Sequence, residues 1–277
     1  MSSINNVIES TIDLSLTEQN PVDLLALETG ISKSKIKQAM TAGAVWLKSG
    51  SKTKRIRRAK TKLPSSGQLS IHYDEKILSL APLAPKLIAD ESSFSIWYKP
   101  AGLMSSGTKF GDHCAINRWV ETNHLPQRPV FIVHRLDRFA TGLMILAHTK
   151  QAAGQISEQF QHRSVRKVYQ VIVHGIVEDT QTLDSPIDGK KAESIISPLE
   201  HHQNRTLLQV EIKTGRKHQI RRHLSLLGHP VVGDRQYGTT QTGELQLTAC
   251  ELAFKHPKTG VVKAYELSQE LRPKLNP

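Results

Sequence analysis

Apolar residues recur at two different spacings along this 277-residue chain, and the change of spacing divides it. From Pro21, the run VDLLALETG sets Val22, Leu25 and Leu27 on one helical stripe. It ends at Gly30, the residue type expected just past a helix C-terminus. In ISKSKIKQAMTAG, Ser32 can accept from first-turn amides, Ile36, Ala39 and Met40 form the apolar face, and Gly43 is the stop. Short β-like runs follow at 44–47 and 68–73, with a turn signal at Ser65-Ser66-Gly67. Residues 1–17 are polar and aperiodic and predict a loose leader. LSLAPLAPKL, residues 78–87, spaces Pro82 and Pro85 among small residues, and proline there disfavours helix and stiffens an extended connection. The organisation expected is a leader over 1–17, a small module over 18–78, a linker over 79–87 and a larger domain over 88–277.

In the larger domain, FSIWY (94–98), FIV (131–133), LMILA (143–147), VYQVIV (168–173) and LLQVEI (207–212) predict strands. Helical spacing marks about 113–123, 151–161 and 217–227. Strands outnumber helices and short turns join several of them, so the expected class is α+β with a mixed sheet, not a doubly wound fold. No run of about 18 uncharged apolar residues occurs, which excludes a spanning helix. The start carries Glu9 and Asp13 and lacks the basic and apolar regions of a secretory signal. Cys114 and Cys250 lie far apart and make no disulfide framework, so a reducing, cytoplasmic setting is expected.

Charge adds a partner. Lys plus Arg is 37 against 25 Asp plus Glu, a formal +12, which argues for a polyanion such as a nucleic acid. Residues 48–62, KSGSKTKRIRRAKTK, hold eight Lys or Arg and no acid. A charge run is ordinarily a solvated loop. Here it follows a short helix pair in a compact unit, which favours a basic face touching phosphate, with Lys54, Arg55, Arg57 and Arg58 as contacts. Residues 22–76 resemble the S4-like RNA-binding domain in the turn S-x-S-x-I-K-x-A-x-x-x-G-A-V and a closing β-run. Lys48-Ser49-Gly50 stands where that family more often has asparagine-glycine. The likeness implies an RNA-binding accessory module of α/β type.

Two segments could carry chemistry. In IVHRLDRFATGLMILAHT (132–149), an apolar strand delivers His134, Arg135, Asp137 and Arg138 into a loop and a second apolar strand leaves it. A carboxylate among basic neighbours is held ionised, which suits a nucleophile, although an Asp–Arg pair that merely pins the loop gives the same pattern. In KTGRKHQIRRHLSLLGHPVVGDRQYG (213–238), Ile220, Leu224 and Leu227 share a helix face. Arg221 borders that face and Arg222 points away, so Arg221 is the one placed to reach a cleft. Gly228 and Pro230 stop the helix, and Gly233-Asp234 makes a further turn.

HRLDRFATG, GRKHQIR and LGHPVVGD, in this order, with KPAGLM (99–104), RKVYQVIVHG (166–175) and LTACELAFKHPKTG (247–260), resemble the RluA-type family of RNA pseudouridine synthases over most of residues 94–262. The resemblance implies that family's fold, a mixed, largely antiparallel sheet with flanking helices, and isomerisation of uridine in ribosomal or transfer RNA. The isomerisation requires no redox change, cofactor or metal, no obligate protein partner is inferred, and a monomer is expected. Asp137 matches the catalytic aspartate, and Arg135 the arginine that evicts the target base and holds RNA; His134, in the same loop, is counted with the RNA contacts. Tyr169 matches a tyrosine packing against the uracil, Arg221 the basic partner of the carboxylate, and Ile220 an apolar residue of the base pocket. The sequence departs from the family at Phe139-Ala140-Thr141-Gly142, where Asp-Thr-Ser-Gly is common, and at Ser105-Ser106-Gly107, where His-Pro is usual.

Three rivals stand beside this reading. His218 and His223 are five apart on one helix, no H-E-x-x-H occurs and the cysteines lack paired spacing, which argues against zinc. A metal-free ribonuclease would use His134 and His218 as acid and base. A non-catalytic RNA-binding factor would need only the 48–62 segment.

Overall fold

The computed structural model describes residues 7–14, 20–238 and 242–275. They form two compact units, one from residues up to 82 together with 106–122, the other from 83–105 and 123 onward.

The first unit contains β1 (Val7–Leu14), α1 (Pro21–Thr29), α2 (Lys33–Ala42), β2 (Val45–Ser49), β3 (Lys52–Arg55), β4 (Gly67–Asp74), α3 (Glu75–Leu78) and α4 (Ile116–Asn123). Its four-stranded sheet runs β1-β4-β2-β3, every pair antiparallel. Asn20 Oδ1 starts α1 by accepting from the Val22 and Asp23 amides, both at 3.0 Å, and Gly30 ends it at φ 69°. Ser32 and Gly43 bracket α2 in the same way. Leu25, Ile36, Met40, Leu69 and Ile71 fill the core between helices and sheet.

Two expectations are overturned here. Val7–Leu14, assigned to a loose leader, is an edge strand in register with β4 from Val7↔Asp74 to Leu14↔Gly67. Its alternation is faint because one face is solvated and the other carries Ser10 between Ile8 and Ile12; the remainder of the expected leader lies outside the described residues. The basic stretch is also no uniform free face. Arg55 lies over the Trp46 ring at 4.1 Å, donates to the carbonyls of Gly43 and Thr108, and meets Asp112 at 3.3 Å. Arg57 holds Asp112 at 2.5 Å and donates to the Thr41 carbonyl. One carboxylate therefore claims both arginines, leaving Lys54 and Arg58 exposed. Asp112 comes from 106–122, a stretch placed by sequence in the larger domain but built into this unit, where its amide donates to Ala42 O at 2.9 Å.

The second unit contains β5 (Lys86–Asp90), β6 (Phe94–Lys99), β7 (Phe131–Ile132), β8 (Thr141–Ala147), α5 (Lys150–Gln161), β9 (Arg166–His174), β10 (Gln181–Leu183), β11 (Ser194–His202), β12 (Arg205–Ile212), α6 (Gln219–Leu226), β13 (Leu247–Lys255) and β14 (Val262–Glu266). These build a ten-stranded sheet in the order β10-β11-β12-β9-β13-β8-β6-β5, with β14 on β13 and β7 on β8. The class is α+β, and the sheet is mixed: among the described residues only β13 and β8 pair parallel, at Thr248↔Thr141 and Ala249↔Gly142. Phe94, Ile96, Leu143, Ile145, Leu252 and Phe254 pack with Ala152 and Ile156 of α5 in a core on one side. Among the described residues no helix is long and apolar enough to cross a membrane.

The parallel pair depends on one glycine. Gly142 has φ 111°, and a Cβ there would stand 2.3 Å from Ala249 O and 2.5 Å from its N. Both obstacles are backbone and cannot swing aside. Gly142→Ala is expected to cost on the order of 3 kcal/mol from strain and overpacking, read as a lower denaturant midpoint. A midpoint matching wild type would refute this account of the β8–β13 junction.

Candidate active site

The register lines up the site. Val210, Tyr169, Ala249, Gly142 and Lys99 sit opposite one another in turn across β12, β9, β13, β8 and β6. The 133–140 loop enters β8 beside this row. Lys99, fully buried, donates to the carbonyls of Pro100, Leu103 and Arg138 at 2.9–3.1 Å. Burial brings its ammonium down to about 7, a fall that nearby Asp137 opposes. The Gly102 amide also donates to Arg138 O at 2.9 Å. Ser105 Oγ donates to Leu136 O at 2.7 Å and accepts from the Leu136 amide at 2.9 Å. The segment after β6 thus clamps the loop at Leu136 and Arg138, on either side of Asp137. Ser105, one of the departures from the family pattern, is part of that clamp.

Helix α6 is aimed from its first residue. Gln219, buried, donates to Glu193 O and Ser194 Oγ and accepts from Thr214 Oγ1 and the Arg216 amide. Ile220 and Leu224 then face the core, and Arg222 pairs with Asp188 at 2.9 Å. Arg221 is buried and uses its guanidinium twice. Nε and Nη2 donate to the two oxygens of Asp234 at 2.6 and 2.8 Å, and Nη1 donates to Asp137 Oδ2 at 3.3 Å. Its ring-facing side lies 5.0 Å from the Tyr237 centroid. Burial opposes the charge on Arg221, but Asp234 first and Asp137 second outweigh it and raise its pKa. Burial likewise works against the Asp234 carboxylate. Arg221 and the Tyr237 and Gln236 amides overcome that penalty and hold it below the ordinary range.

A cavity of about 540 Å³ opens over this pair, lined by Asp137, Arg138, Phe139, His218, Arg221 and Asp234 among others. The Asp137 side chain is 26% exposed, so a ligand in the cavity can reach it. His218 Nε2 stands 3.8 Å from its other oxygen, while Nδ1 meets the Tyr237 hydroxyl at 3.0 Å. Burial lowers the His218 pKa, which leaves the ring neutral. Tyr169 is buried, and burial followed by the charge of Asp137 raises its hydroxyl pKa, so it stays a neutral phenol.

The structure therefore brings Asp137 and Arg221 together; Tyr169 is buried near enough for the charge of Asp137 to act on its hydroxyl, and neither it nor Ile220, buried beside Arg221 on α6, is among the residues lining the cavity. Arg135 is exposed and is not among the residues lining the cavity. His134 is a correction. Its ring stacks on Phe160 at 4.6 Å, and its Nε2 accepts from the Ile145 amide at 2.9 Å. That amide falls between the β7 and β13 pairings of β8, and the imidazole completes the ladder there. Burial drives its pKa to about 3, and with Nε2 engaged by the Ile145 amide the half-buried ring is a neutral structural group. Sequence reasoning missed Asp234, read only as a turn residue. The available signal was an acid in a basic segment, 13 residues beyond Arg221.

The fold and this cavity define a carboxylate-centred site on a mixed sheet, in which one buried arginine donates a hydrogen bond to an accessible acid. The sequence profile described as RNA pseudouridylate synthase matches residues 93–226. A protein of Aquifex aeolicus named "Uncharacterized RNA pseudouridine synthase" is 30% identical over 276 residues, 86% of this chain and 86% of that protein. "Dual-specificity RNA pseudouridine synthase RluA" of Vibrio vulnificus is 33% identical over 208 residues, 65% of this chain and 82% of that one. Matches to three further relatives span 46%, 50% and 61% of those proteins' lengths. The solved structure of human RNA pseudouridylate synthase domain containing 1 has a TM-score of 0.59, covering 70% of this chain and 88% of that one; at 21% identity it speaks for the fold. The chain belongs to the RluA-type family of RNA pseudouridine synthases, isomerases that act on RNA.

Proposed function

We propose that this enzyme isomerises specific uridines in structured ribosomal or transfer RNA, using Asp137 as a covalent catalyst on a base flipped out of its stack. One observation carries the reading: an accessible carboxylate at a cavity of about 540 Å³, roomy enough for a nucleotide, 3.3 Å from an arginine that a second, buried carboxylate holds in place. The reaction breaks the bond from ribose to N1, turns the uracil while it stays bound, and rejoins it through C5, which loses its proton while N1 takes one up. Asp137 adds to the uracil ring or to the sugar carbon, and both routes use its carboxylate oxygen as the nucleophile, with Arg221 orienting the group through the Nη1 hydrogen bond. Tyr169 packs against the uracil as a neutral ring. Flipping costs a few kcal/mol, offset by stacking and by cationic contacts to the backbone from exposed Arg135. The N-terminal module, with its S4-like sequence and exposed Lys54 and Arg58, adds phosphate contacts. "Dual-specificity" in the name of the Vibrio vulnificus relative supports keeping more than one RNA substrate open.

Mapping pseudouridines in RNA from cells with and without this gene tests the reading. Defined positions are expected to revert to uridine on deletion and to return when the gene is restored. Identical maps would overturn the proposal, and RNA cleaved at defined sites would favour a ribonuclease.

A further inference from the structure

Phe139 is the one aromatic among the exposed large apolar residues of the described chain, with 53% of its surface open to solvent. A single exposed apolar side chain is ordinary on a protein surface. Three features set this one apart. It lines the catalytic cavity, two residues from Asp137. The Arg138 guanidinium lies 5.3 Å from the ring centroid. The backbone beneath is fixed, because Arg138 O accepts from Lys99 and Gly102, Arg138 Nε donates to Gly102 O, and Ala140 on the far side is buried.

A rigid loop therefore holds an open ring and a cation at the cavity, with Arg235 also exposed there. Resting on the function proposed above, we infer that Phe139 is the stacking platform for the nucleobase adjoining the target uridine, and that Arg138 meets that nucleotide's phosphate. When the uridine leaves its stack for the cavity, its neighbour loses one stacking face. The Phe139 ring replaces that face at little entropic cost because it is already positioned. Every base has a π-face, so the contact tolerates sequence while fixing where the strand enters.

Total RNA from cells lacking the gene serves as the probe, with conversion timed at each mapped uridine. Phe139→Ala and Phe139→Leu are expected to lower kcat/KM roughly tenfold, on the scale of one lost base–aromatic stack, while Phe139→Trp and Phe139→Tyr stay within about twofold. Thermal midpoints should not separate the four variants, because the ring is half in water. Equal rates for Phe139→Leu and wild type, or equal losses in all four variants, would overturn the platform and leave the functional reading intact. A wild-type protein that converts no uridine would sink both.

Discussion

Replacing Asp137 with Asn is expected to abolish isomerisation while RNA binding and stability persist. The amide keeps the shape but is no nucleophile, and removal of a covalent nucleophile costs roughly 10⁴-fold or more in kcat. The fold should barely respond. Asp137 is 26% exposed and makes one 3.3 Å hydrogen bond to Arg221, which already holds Asp234 through two others. A partly exposed pair of this kind contributes below about 1 kcal/mol. Single-turnover conversion, RNA binding and denaturant unfolding measured on one preparation separate these terms. Substantial isomerisation by Asp137→Asn would remove the residue from its assigned role. Loss of RNA binding together with activity would instead suggest a loop merely pinned by an ion pair.

The mirror image is expected at Asp234. Its side chain is wholly buried, accepts twice from Arg221, and takes the Gln236 and Tyr237 amides as well. Asp234→Asn strips the charge and turns an amide N–H toward a guanidinium whose other carboxylate partner, Asp137, is partly exposed. Breaking a buried pair from one side costs about 3–5 kcal/mol, because the remaining charge stays desolvated. The denaturant midpoint should fall accordingly. Isomerisation should fall too, because Arg221 loses the bonds that aim it at Asp137. An Asp234→Asn protein as stable as wild type would show that the turn, and not the ion pair, is what this aspartate provides. Together the variants divide the cluster into an acid that reacts and an acid that positions.

Much of the architecture is legible in the chain because hydrogen-bond geometry ties side-chain spacing to backbone form. Periods near 3.6 mark α1, α2, α5 and α6, and apolar runs mark β6, β8, β9 and β12, all within a few residues of their observed ends. The strands that escape are those with weak contrast. β1 has polar residues on both faces, and β3 reads KTKR, four residues with no apolar side chain. β14 carries Val262 exposed on its outer side. Edge and surface strands are specified by the partner they pair with, and a single sequence does not display its partner.

The candidate site divides along the same line. By itself the sequence placed Asp137 in a loop between two buried strands and turned Arg221, not Arg222, toward a cleft, since helix and strand periods fix the direction of a side chain relative to its own element. Which groups those side chains meet was decided by tertiary structure. His134 turned inward to complete the β8 ladder, Arg55 and Arg57 were drawn onto Asp112, and Asp234 became the second partner of Arg221. Each outcome satisfies a buried polar group with a donor or acceptor distant along the chain. Burial and register, which create that demand, exist only once the sheet has formed.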